Sequence, residues 1–475
     1  MDEPHDDIDS WLSERVKPLL PHPGAFERIR KRARRRKLAQ AGIAAGGAAV
    51  IVAAAATVPH FVISRVNPTG SESSVSSHPA APSHSTHPAT QSPAPSSPSP
   101  SAATTPAGRP GVPSNFAASS VTFVSPSTGW VIGQAGTPGH CTGPRPRICT
   151  SLAATFDGGT SWQGVPAPVT GPPDGARGVS GIRSLNGTDG WAFGPQLYAT
   201  HDSGQTWTKI DTHGMRVTDL ETVGNRAFAV WARCTGSGQD FAASCLSFSL
   251  YSTPKNINQW APVPGVTGLT SSAIAGGAQV ASSAQLVLTG SRGYLLAPDG
   301  DVYSGPVTGT ARWKPATANR TPLKGCGLPG PAQPDGVPSL TMLASTGTGL
   351  VEMCAAQSPG RPQTKLVVYS ADGGRTWVTT GYAPRAGIAT SLSGTPAGKV
   401  LVATTTGIDV SADAAGARPY GLRWRTVQGT SLPGGFSYVG MTTSAQGVAV
   451  PADQSVHALW FTYDGGRQWQ ESPVH

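Results

Sequence analysis

Glutamates that could act as a general acid, a base or a nucleophile are scarce in the larger, C-terminal part of the chain. Beyond residue 115 the only glutamates are Glu221, Glu352 and Glu471. Glycoside hydrolysis needs two carboxyl groups about 5–9 Å apart, and no spacing in the sequence indicates such a pair. We therefore expect structural or surface roles for Glu221 and Glu352, an outer-strand position for Glu471, and no catalytic residue.

Cysteine and histidine are the other side chains whose spacing could indicate chemistry. The six cysteines are Cys141, Cys149, Cys234, Cys245, Cys326 and Cys354. Their even number, without a Cys-x-x-Cys pair, favours disulfides over zinc binding or thiol redox chemistry. Six cysteines allow fifteen pairings, of which we favour the sequence neighbours 141–149, 234–245 and 326–354. His78, His84 and His87 have no cysteine or carboxylate cluster beside them, so we expect neither a metal site nor a cofactor.

The elements that must position these side chains are indicated by an internal repeat. Four stretches share the pattern Ser/Thr-x-Asp-x-Gly-x-x-Trp, namely "TFDGGTSW" (155–162), "THDSGQTW" (200–207), "SADGGRTW" (370–377) and "TYDGGRQW" (462–469). Asp before Gly favours a tight turn, because Gly adopts positive φ and Asp bonds nearby backbone N–H groups. The Trp then starts the next strand and buries a large ring. The residues that define the four copies are Asp157, Gly159, Trp162, Asp202, Gly204, Trp207, Asp372, Gly374, Trp377, Asp464, Gly466 and Trp469.

These segments resemble Asp-boxes, the bacterial neuraminidase (BNR) repeats of sialidase-like and YVTN-like β-propellers. The resemblance implies that each box joins the third and fourth strands of a propeller blade, at the periphery of the ring. It therefore implies a structural rather than a catalytic role for Asp157, Asp202, Asp372 and Asp464.

Further copies complete the series. Three degenerate boxes end at Trp260, Trp313 and Trp424, and seven short apolar segments, from "STGWVIG" (127–133) to "AQGVAVP" (445–451), each precede one box. Each apolar segment is typical of the second, buried strand of a blade. Two series in the same phase predict an all-β propeller of seven blades. Six or eight blades remain open, because the copies at Trp260 and Trp313 are weak.

The resemblance also invites a comparison with sialidase chemistry. It implies three substrate-binding arginines, a Tyr–Glu nucleophile pair and an Asp acid/base, with the first arginine in a Phe/Tyr-Arg-Ile-Pro motif. The nearest string is "PRPRICTS" (144–151), where Cys149 replaces the proline, so we reject the match. Trp231 and Trp460 are candidates for an exposed binding face, although packing between blades explains them equally well.

The N-terminal region carries a different signal. The net charge of +9 would suit a nucleic-acid-binding protein, but the only dense basic cluster, Arg28–Lys37, directly precedes an uncharged apolar run at 38–63. As a helix this run would measure about 39 Å, more than the roughly 30 Å core of a bilayer. The positive-inside rule then places residues 1–37 in the cytoplasm. We predict a single-pass membrane protein with no nucleic-acid partner; a cleaved signal peptide or a twin-arginine export signal are the alternatives.

The whole chain thus divides into four predicted segments. These are a basic cytoplasmic segment (1–37), a transmembrane helix (38–63), a disordered Pro/Ser/Thr-rich linker (64–115) and a β-propeller outside the cell (116–475). The layout resembles single-pass exported proteins of high-GC actinobacteria. The sequence does not indicate an oligomeric state.

Three hypotheses about function follow. The first is a membrane-anchored, non-enzymatic propeller that binds or scaffolds a protein or glycan ligand outside the cell, with the partner on the loop face of the ring. Photosystem assembly factors and sortilin-like receptors are related propellers that bind proteins or peptides, and this is an analogy of fold. The second is an exported sialidase-like glycoside hydrolase. The third is a transmembrane sensor whose residues 1–37 signal in the cytoplasm.

Overall fold

A computed structural model describes most of the chain beyond residue 111. The described residues are 112–113, 115–135, 149–171, 178–234, 245–270, 284–298, 300–316, 339–356, 361–416, 421–427 and 432–475. They form strands, turns and irregular segments and contain no helix, so none of the described segments is a helix long and apolar enough to cross a membrane. The predicted transmembrane helix at 38–63 and nearly all of the predicted linker lie outside the described residues.

The first three blades are consecutive antiparallel sheets, each built from one stretch of chain. Blade 1 contains β1 (Ala117–Phe123), β2 (Gly129–Ala135), β3 (Cys149–Thr155) and β4 (Gln163–Val165). Blade 2 contains β5 (Gly181–Ser184), β6 (Gly190–Phe193), β7 (Leu197–Thr200) and β8 (Thr208–Lys209). Blade 3 contains β9 (Arg216–Val223), β10 (Arg226–Cys234), β11 (Cys245–Pro254) and β12 (Ala261–Pro262), with the short β13 (Leu269–Thr270) also paired to β11.

The remaining four blades repeat the same order of strands. Blade 4 contains β14 (Gln285–Leu288), β15 (Arg292–Leu296), β16 (Val302–Pro306) and β17 (Lys314–Pro315). Blade 5 contains β18 (Ser339–Thr346), β19 (Gly349–Ala356), β20 (Thr364–Ser370) and β21 (Val378–Ala383). Blade 6 contains β22 (Ala389–Gly394), β23 (Val400–Thr404), β24 (Gly407–Ser411) and β25 (Trp424–Thr426), and blade 7 contains β26 (Phe436–Met441), β27 (Gly447–Pro451), β28 (Ala458–Thr462) and β29 (Gln470–Pro473). The predicted seven-bladed propeller is confirmed.

The order of strands gives the ring two different faces. In an antiparallel sheet of four consecutive strands, the first and third turns lie at one end. Hydrogen bonds between these two turns, such as Gly158 N to Ser127 O (2.8 Å) and Gly465 N to Ala445 O (2.8 Å), define what we call the turn face. The turn between the second and third strands and the connection to the next blade lie at the opposite end, which we call the loop face.

The core consists of apolar side chains packed between neighbouring blades. Several second strands are buried on both faces of their sheets, and every residue of β6, β23 and β27 is buried. In β6 and β27 small residues alternate with larger ones, which lets the tapering sheets approach each other. Trp231 and Trp460 are only 2% and 4% exposed, so their proposed place on an exposed binding face is wrong, and packing between blades explains both residues.

The ring closes between blades 7 and 1 without a shared strand. Phe123 and Phe461 meet edge to face, with ring centroids 5.9 Å apart. The Gln446 side chain donates to Pro126 O (2.7 Å), and the Tyr463 hydroxyl donates to Gly158 O (3.1 Å). Side-chain contacts alone therefore join the first blade to the last.

One predicted disulfide is present in the described part of the chain. Cys234 and Cys245 are bonded across the loop-face ends of β10 and β11. Cys354 in β19 is also disulfide-bonded. Cys141 and Cys326 lie outside the described residues, so the pairings 141–149 and 326–354 stay predictions.

Candidate functional site

The four sequence repeats form one kind of turn between the third and fourth strands of blades 1, 2, 5 and 7. In blade 1 the Thr155 hydroxyl donates to Asp157 Oδ1 (2.8 Å) and accepts from Gly159 N (2.9 Å), while Ser161 N donates to Asp157 Oδ1 (2.9 Å). The same three bonds recur around Asp202, Asp372 and Asp464, at 2.8–3.0 Å. We call these four segments the Asp turns.

Each Asp turn also packs against the blade that precedes it. Gly159 adopts a φ of +95°, and a Cβ atom there would lie 2.4 Å from the ring of Phe461 in blade 7. Trp162 belongs to the same cluster of buried residues as Phe461. Glycine is therefore required twice over, by its conformation and by the close approach of the ring.

The hydrogen bonds of the turns keep their carboxyl groups ionised. Burial opposes ionisation, but the bonds from backbone and hydroxyl donors outweigh it, so the pKa of each of the four aspartates is lowered. For Asp372 the pKa falls to about 2, because Thr376, Ser370 and Arg375 all supply donors. Each of the four carboxyl groups accepts hydrogen bonds from residues of its own turn.

A group of ionisable side chains lies near the axis of the ring. Arg183 from β5 of blade 2 donates from Nε to Glu221 Oε1 of β9 in blade 3 (3.0 Å), and the two side chains are 3% and 2% exposed. Arg183 Nη1 also reaches Ser120 Oγ of blade 1 (3.3 Å). Its Nη2 atom is buried and has no hydrogen-bond acceptor among the described residues.

Two more ionisable side chains complete this axial cluster. Asp219, two residues before Glu221 and fully buried, accepts from Leu286 N of blade 4 (2.7 Å) and from Leu220 N (2.9 Å). Burial, and then the charge of Glu221, raise the pKa of Asp219 well above its usual value. Burial likewise raises the pKa of Tyr438 in β26, and the charges of Arg183 and Glu221 act on its phenol in opposite directions.

The axial cluster contains the residue types of a glycosidase active site, but its carboxyl groups are too buried for a substrate to reach them. An Arg, a Tyr and two carboxyl groups are together, yet Glu221, Asp219 and Tyr438 are at most 4% exposed. A substrate bond has to lie between the carboxyl groups for hydrolysis, and side chains this deeply buried leave no room for one. The Arg183–Glu221 pair instead joins two blades. The structural role expected for Glu221 fits this geometry, and Glu352 in β19 is buried as well.

Sequence reasoning missed Arg183, Asp219 and Tyr438. One signal was available, because Asp219 and Glu221 alternate with the apolar Leu220, which puts two carboxyl groups on the same side of a strand. The partner Arg183 lies 38 residues earlier in another blade. No local pattern connects the two residues.

The axial cluster is part of a wider series of bonds between neighbouring blades, most of which join the innermost strands. Several polar side chains of one blade accept a hydrogen bond from a backbone N–H of the next blade. The pairs are Ser120 Oγ with Ile182 N, Asp219 Oδ2 with Leu286 N, Gln285 Oε1 with Leu343 N, Gln363 Oε1 with Ala389 N, and Ser391 Oγ with Val439 N. We call these contacts the inner ties.

The loop face carries an open groove. A cavity of about 530 Å³ lies between the turn at Pro195–Gln196 of blade 2 and the connection from blade 2 to blade 3. It is lined by Lys209, Asp211, Met215 and Arg216 among others. A volume of this size suits a small ligand or part of a peptide. Within the described ranges, no three His, Cys, Asp or Glu side chains lie together in a way that could hold a metal ion.

The fold has distant counterparts among solved structures. No protein-family model and no curated protein sequence matches the chain. YCF48 bound to a D1 peptide is 16% identical with a TM-score of 0.44, over 77% of this chain and 95% of that chain. Sqt1 of Saccharomyces cerevisiae is 10% identical with a TM-score of 0.43 (76% and 86%), and a GH93 α-L-arabinofuranosidase of Fusarium graminearum is 11% identical with a TM-score of 0.31 (52% and 79%). These likenesses concern the propeller architecture alone.

Proposed function

We propose that the chain is a non-enzymatic binding or scaffold module, an Asp-box propeller held at the outer side of a membrane by residues 38–63. The observation that carries the non-enzymatic part is the burial of the axial cluster, in which Arg183 and Glu221 are 3% and 2% exposed. The Asp-box assignment is supported by the hydrogen bonds that recur in the four Asp turns. The membrane anchor rests on the basic cluster and the apolar run of the sequence.

We place the partner on the loop face. The groove there combines cationic, anionic and apolar side chains in Lys209, Asp211 and Met215, which suits a segment of a protein better than a uniformly apolar ligand. Leu246, at the same end of blade 3, is 49% exposed. The disulfide between Cys234 and Cys245 links the two strand ends next to Leu246.

Photo-crosslinking of the full chain tests this surface. A benzophenone amino acid is placed at Gln196 or Leu246 on the loop face. The matched control places it at Phe156, which is 55% exposed in the Asp turn of blade 1, on the turn face. We expect one discrete protein adduct from envelope preparations at the two loop-face positions and none at Phe156. Equal labelling at all three positions would contradict a loop-face partner.

The Glu221→Gln variant separates the non-enzymatic proposal from the glycosidase alternative. If the ion pair is structural, the variant lowers the melting temperature, and neither it nor the wild type hydrolyses a panel of fluorogenic sialosides and arabinosides. A wild-type activity that the variant abolishes at an unchanged melting temperature would overturn the proposal. Fractionation of the full chain and of a chain that lacks residues 1–63 tests the anchor, since only the full chain should sediment with membranes.

A further inference from the structure

The Asp turn is absent from the adjacent blades 3 and 4, and the third turn of each contains a basic residue, Lys255 and Arg312. The Asp of each Asp turn stands five residues before the Trp, as Asp157 does before Trp162. In blade 3 the same place, five residues before Trp260, holds Lys255, and in blade 4 it holds Thr308. Blades 3 and 4 therefore lack the ionised carboxyl group that blades 1, 2, 5 and 7 present on the turn face.

Four cations occupy these two blades near the turn face, and we call them the basic turn patch: Arg226, Lys255, Arg292 and Arg312. They are joined by contacts. Lys255 N donates to Asn225 O (2.8 Å), beside Arg226. The guanidinium of Arg226 lies against Gly309 of blade 4, where a Cβ atom would come within 2.5 Å of it. Val307 N donates to Ser291 O (3.4 Å), beside Arg292. These contacts link the segments of Arg226, Lys255 and Arg292 across the junction of the two blades, and Arg312 lies in the third turn of blade 4.

The segments that carry the patch contain no carboxylate, since residues 224–226, 253–260, 289–292 and 304–314 include no Asp or Glu. One carboxylate of blade 2 borders the patch: Asp189 accepts from the Asn256 amide beside Lys255 (2.7 Å), and it is already paired with His201 (2.8 Å). Arg226 and Arg292 donate to the neutral hydroxyls of Ser252 (3.0 Å) and Ser304 (3.3 Å). Burial lowers the pKa of Arg226, and an anion bound beside its guanidinium would favour the charged form.

The rest of the turn face restricts what such an anion can be. Asp157 and Asp202, in blades 1 and 2, share their turns with no Lys or Arg, while Asp372 and Asp464 share theirs with Arg375 and Arg467. The turn face is therefore negative over blades 1 and 2, balanced over blades 5 and 7, and positive over blades 3 and 4. A broad anionic surface such as a lipid bilayer would meet the carboxylates of blades 1 and 2 and be repelled. A narrow anionic ligand would contact the row of cations alone.

We propose that the basic turn patch binds a short acidic segment of a protein. An apolar side chain within the patch favours a protein over a phosphate polymer, because Ile257, two residues after Lys255, is 43% exposed. Its neighbour Asn258 is turned towards His201 of blade 2 (3.3 Å), so Lys255 and Ile257 are left to face solvent. This surface lies on the opposite side of the ring from the loop-face site and does not depend on that proposal.

Fluorescence anisotropy with a fluorescein-labelled octaglutamate peptide tests the patch. The full chain, purified in a nonionic detergent, is compared with Arg292→Glu/Arg312→Glu. The matched control, Arg375→Glu/Arg467→Glu, makes the same change of charge on the turn face of blades 5 and 7. We expect the patch variant to weaken binding at least tenfold and the control to weaken it less than twofold. We also expect wild-type binding to weaken as NaCl rises from 50 to 300 mM.

Two further measurements keep the test decisive. The Arg292→Gln/Arg312→Gln variant removes the charges without adding carboxylates, and it should weaken binding by an intermediate factor at an unchanged melting temperature. Equal losses in the patch and control variants, or no binding by the wild type at 50 mM NaCl, would overturn the proposal. Displacement of the peptide by nonionic micelles doped with phosphatidylglycerol, at a lower concentration of charge than the peptide, would overturn it in favour of a lipid surface.

Discussion

Neighbouring blades are joined at two distances from the axis of the ring, by the inner ties near the axis and by the Asp turns near the rim. Near the axis, the inner ties reach forward, because a side chain of one blade accepts from the backbone of the next, as Asp219 does from Leu286 N. Near the rim, the Asp turns pack backward, as Gly159 does on Phe461 of the preceding blade. The inner groups are buried and differ from blade to blade, whereas the outer groups are partly exposed and repeat. We therefore expect the buried inner contacts to contribute more to the free energy of unfolding. The Asp turns are easier to recognise in the sequence, because they repeat.

The largest effect is expected at the axis, for Arg183→Met. The variant leaves the buried carboxyl of Glu221 without its cation, and breaking a buried ion pair costs about 3–5 kcal/mol. Chemical denaturation followed by tryptophan fluorescence measures the free energy of unfolding. In the double variant Arg183→Met/Glu221→Met the loss should be much smaller, since no charge stays buried alone. Equal losses in the single and double variants would contradict this account of the inner contacts.

Lys365 provides a second, independent contact between blades. It is completely buried in β20, and its Nζ donates to Pro384 O and Ala386 O (both 2.7 Å) in the connection from blade 5 to blade 6. We expect Lys365→Met to lower the free energy of unfolding by about 2–3 kcal/mol, because two carbonyls of the connection lose a charged donor. Lys399→Met, in a half-buried turn of blade 6, is the control and should change stability by less than about 0.5 kcal/mol.

The rim is expected to respond less. Asp372→Ala removes the acceptor of the turn in blade 5, and we expect a loss of about 1–2 kcal/mol, because the lost bonds lie in a partly exposed turn. Asp453→Ala offers a matched control, since the Asp453 carboxyl group accepts from Ser455 in an exposed loop-face turn. If Asp372→Ala lowered the free energy of unfolding more than Arg183→Met does, the proposed order of inner and outer contacts would be wrong.

The two radii should also differ in their response to acid. The pKa of Asp372 is lowered to about 2, so its contribution is present above about pH 4 and is lost as the pH falls towards 2. The pKa of Asp219 is raised by burial and by Glu221, so its contribution is complete below about pH 4 and is lost as the pH rises.

The smallest net effect at pH 7 is expected for Asp219→Asn, because two changes oppose each other. Asn has one acceptor oxygen for the two backbone N–H groups that Asp219 binds, but the substitution also removes a buried carboxyl group that ionises at a cost. At pH 7 the variant should therefore be as stable as the wild type to within about 1 kcal/mol, and it should become less stable than the wild type as the pH falls to 4. The stability difference between Asp372→Ala and the wild type should instead shrink below pH 4. Denaturation curves from pH 3 to 8 measure both trends, and parallel trends in the two variants would contradict the assignment.

The contrast between the radii also explains what the sequence could predict. An Asp turn needs Asp, Gly and Trp at fixed separations, because the φ of Gly159 and the bonds of Asp157 leave few other choices. Together with the series of apolar segments, which marks the second strands, that repeat predicted seven blades. An inner tie needs only some acceptor that reaches the next blade, and Ser120, Asp219 and Gln285 all serve. Since the partners are far apart in the chain and differ in type, the axial cluster had no recognisable pattern.

The closure of the ring has a topological consequence. No strand is shared between blades 1 and 7, and Phe116 and Val474, near the start and the end of the propeller, belong to the same cluster of buried residues. Because each sheet is formed by one stretch of chain, the propeller could begin at any blade without dividing a sheet. A circular permutant of the propeller that joins residue 475 to residue 112 by a short linker, and that opens the chain at the exposed residues 213–214 between blades 2 and 3, would keep all seven sheets uncut.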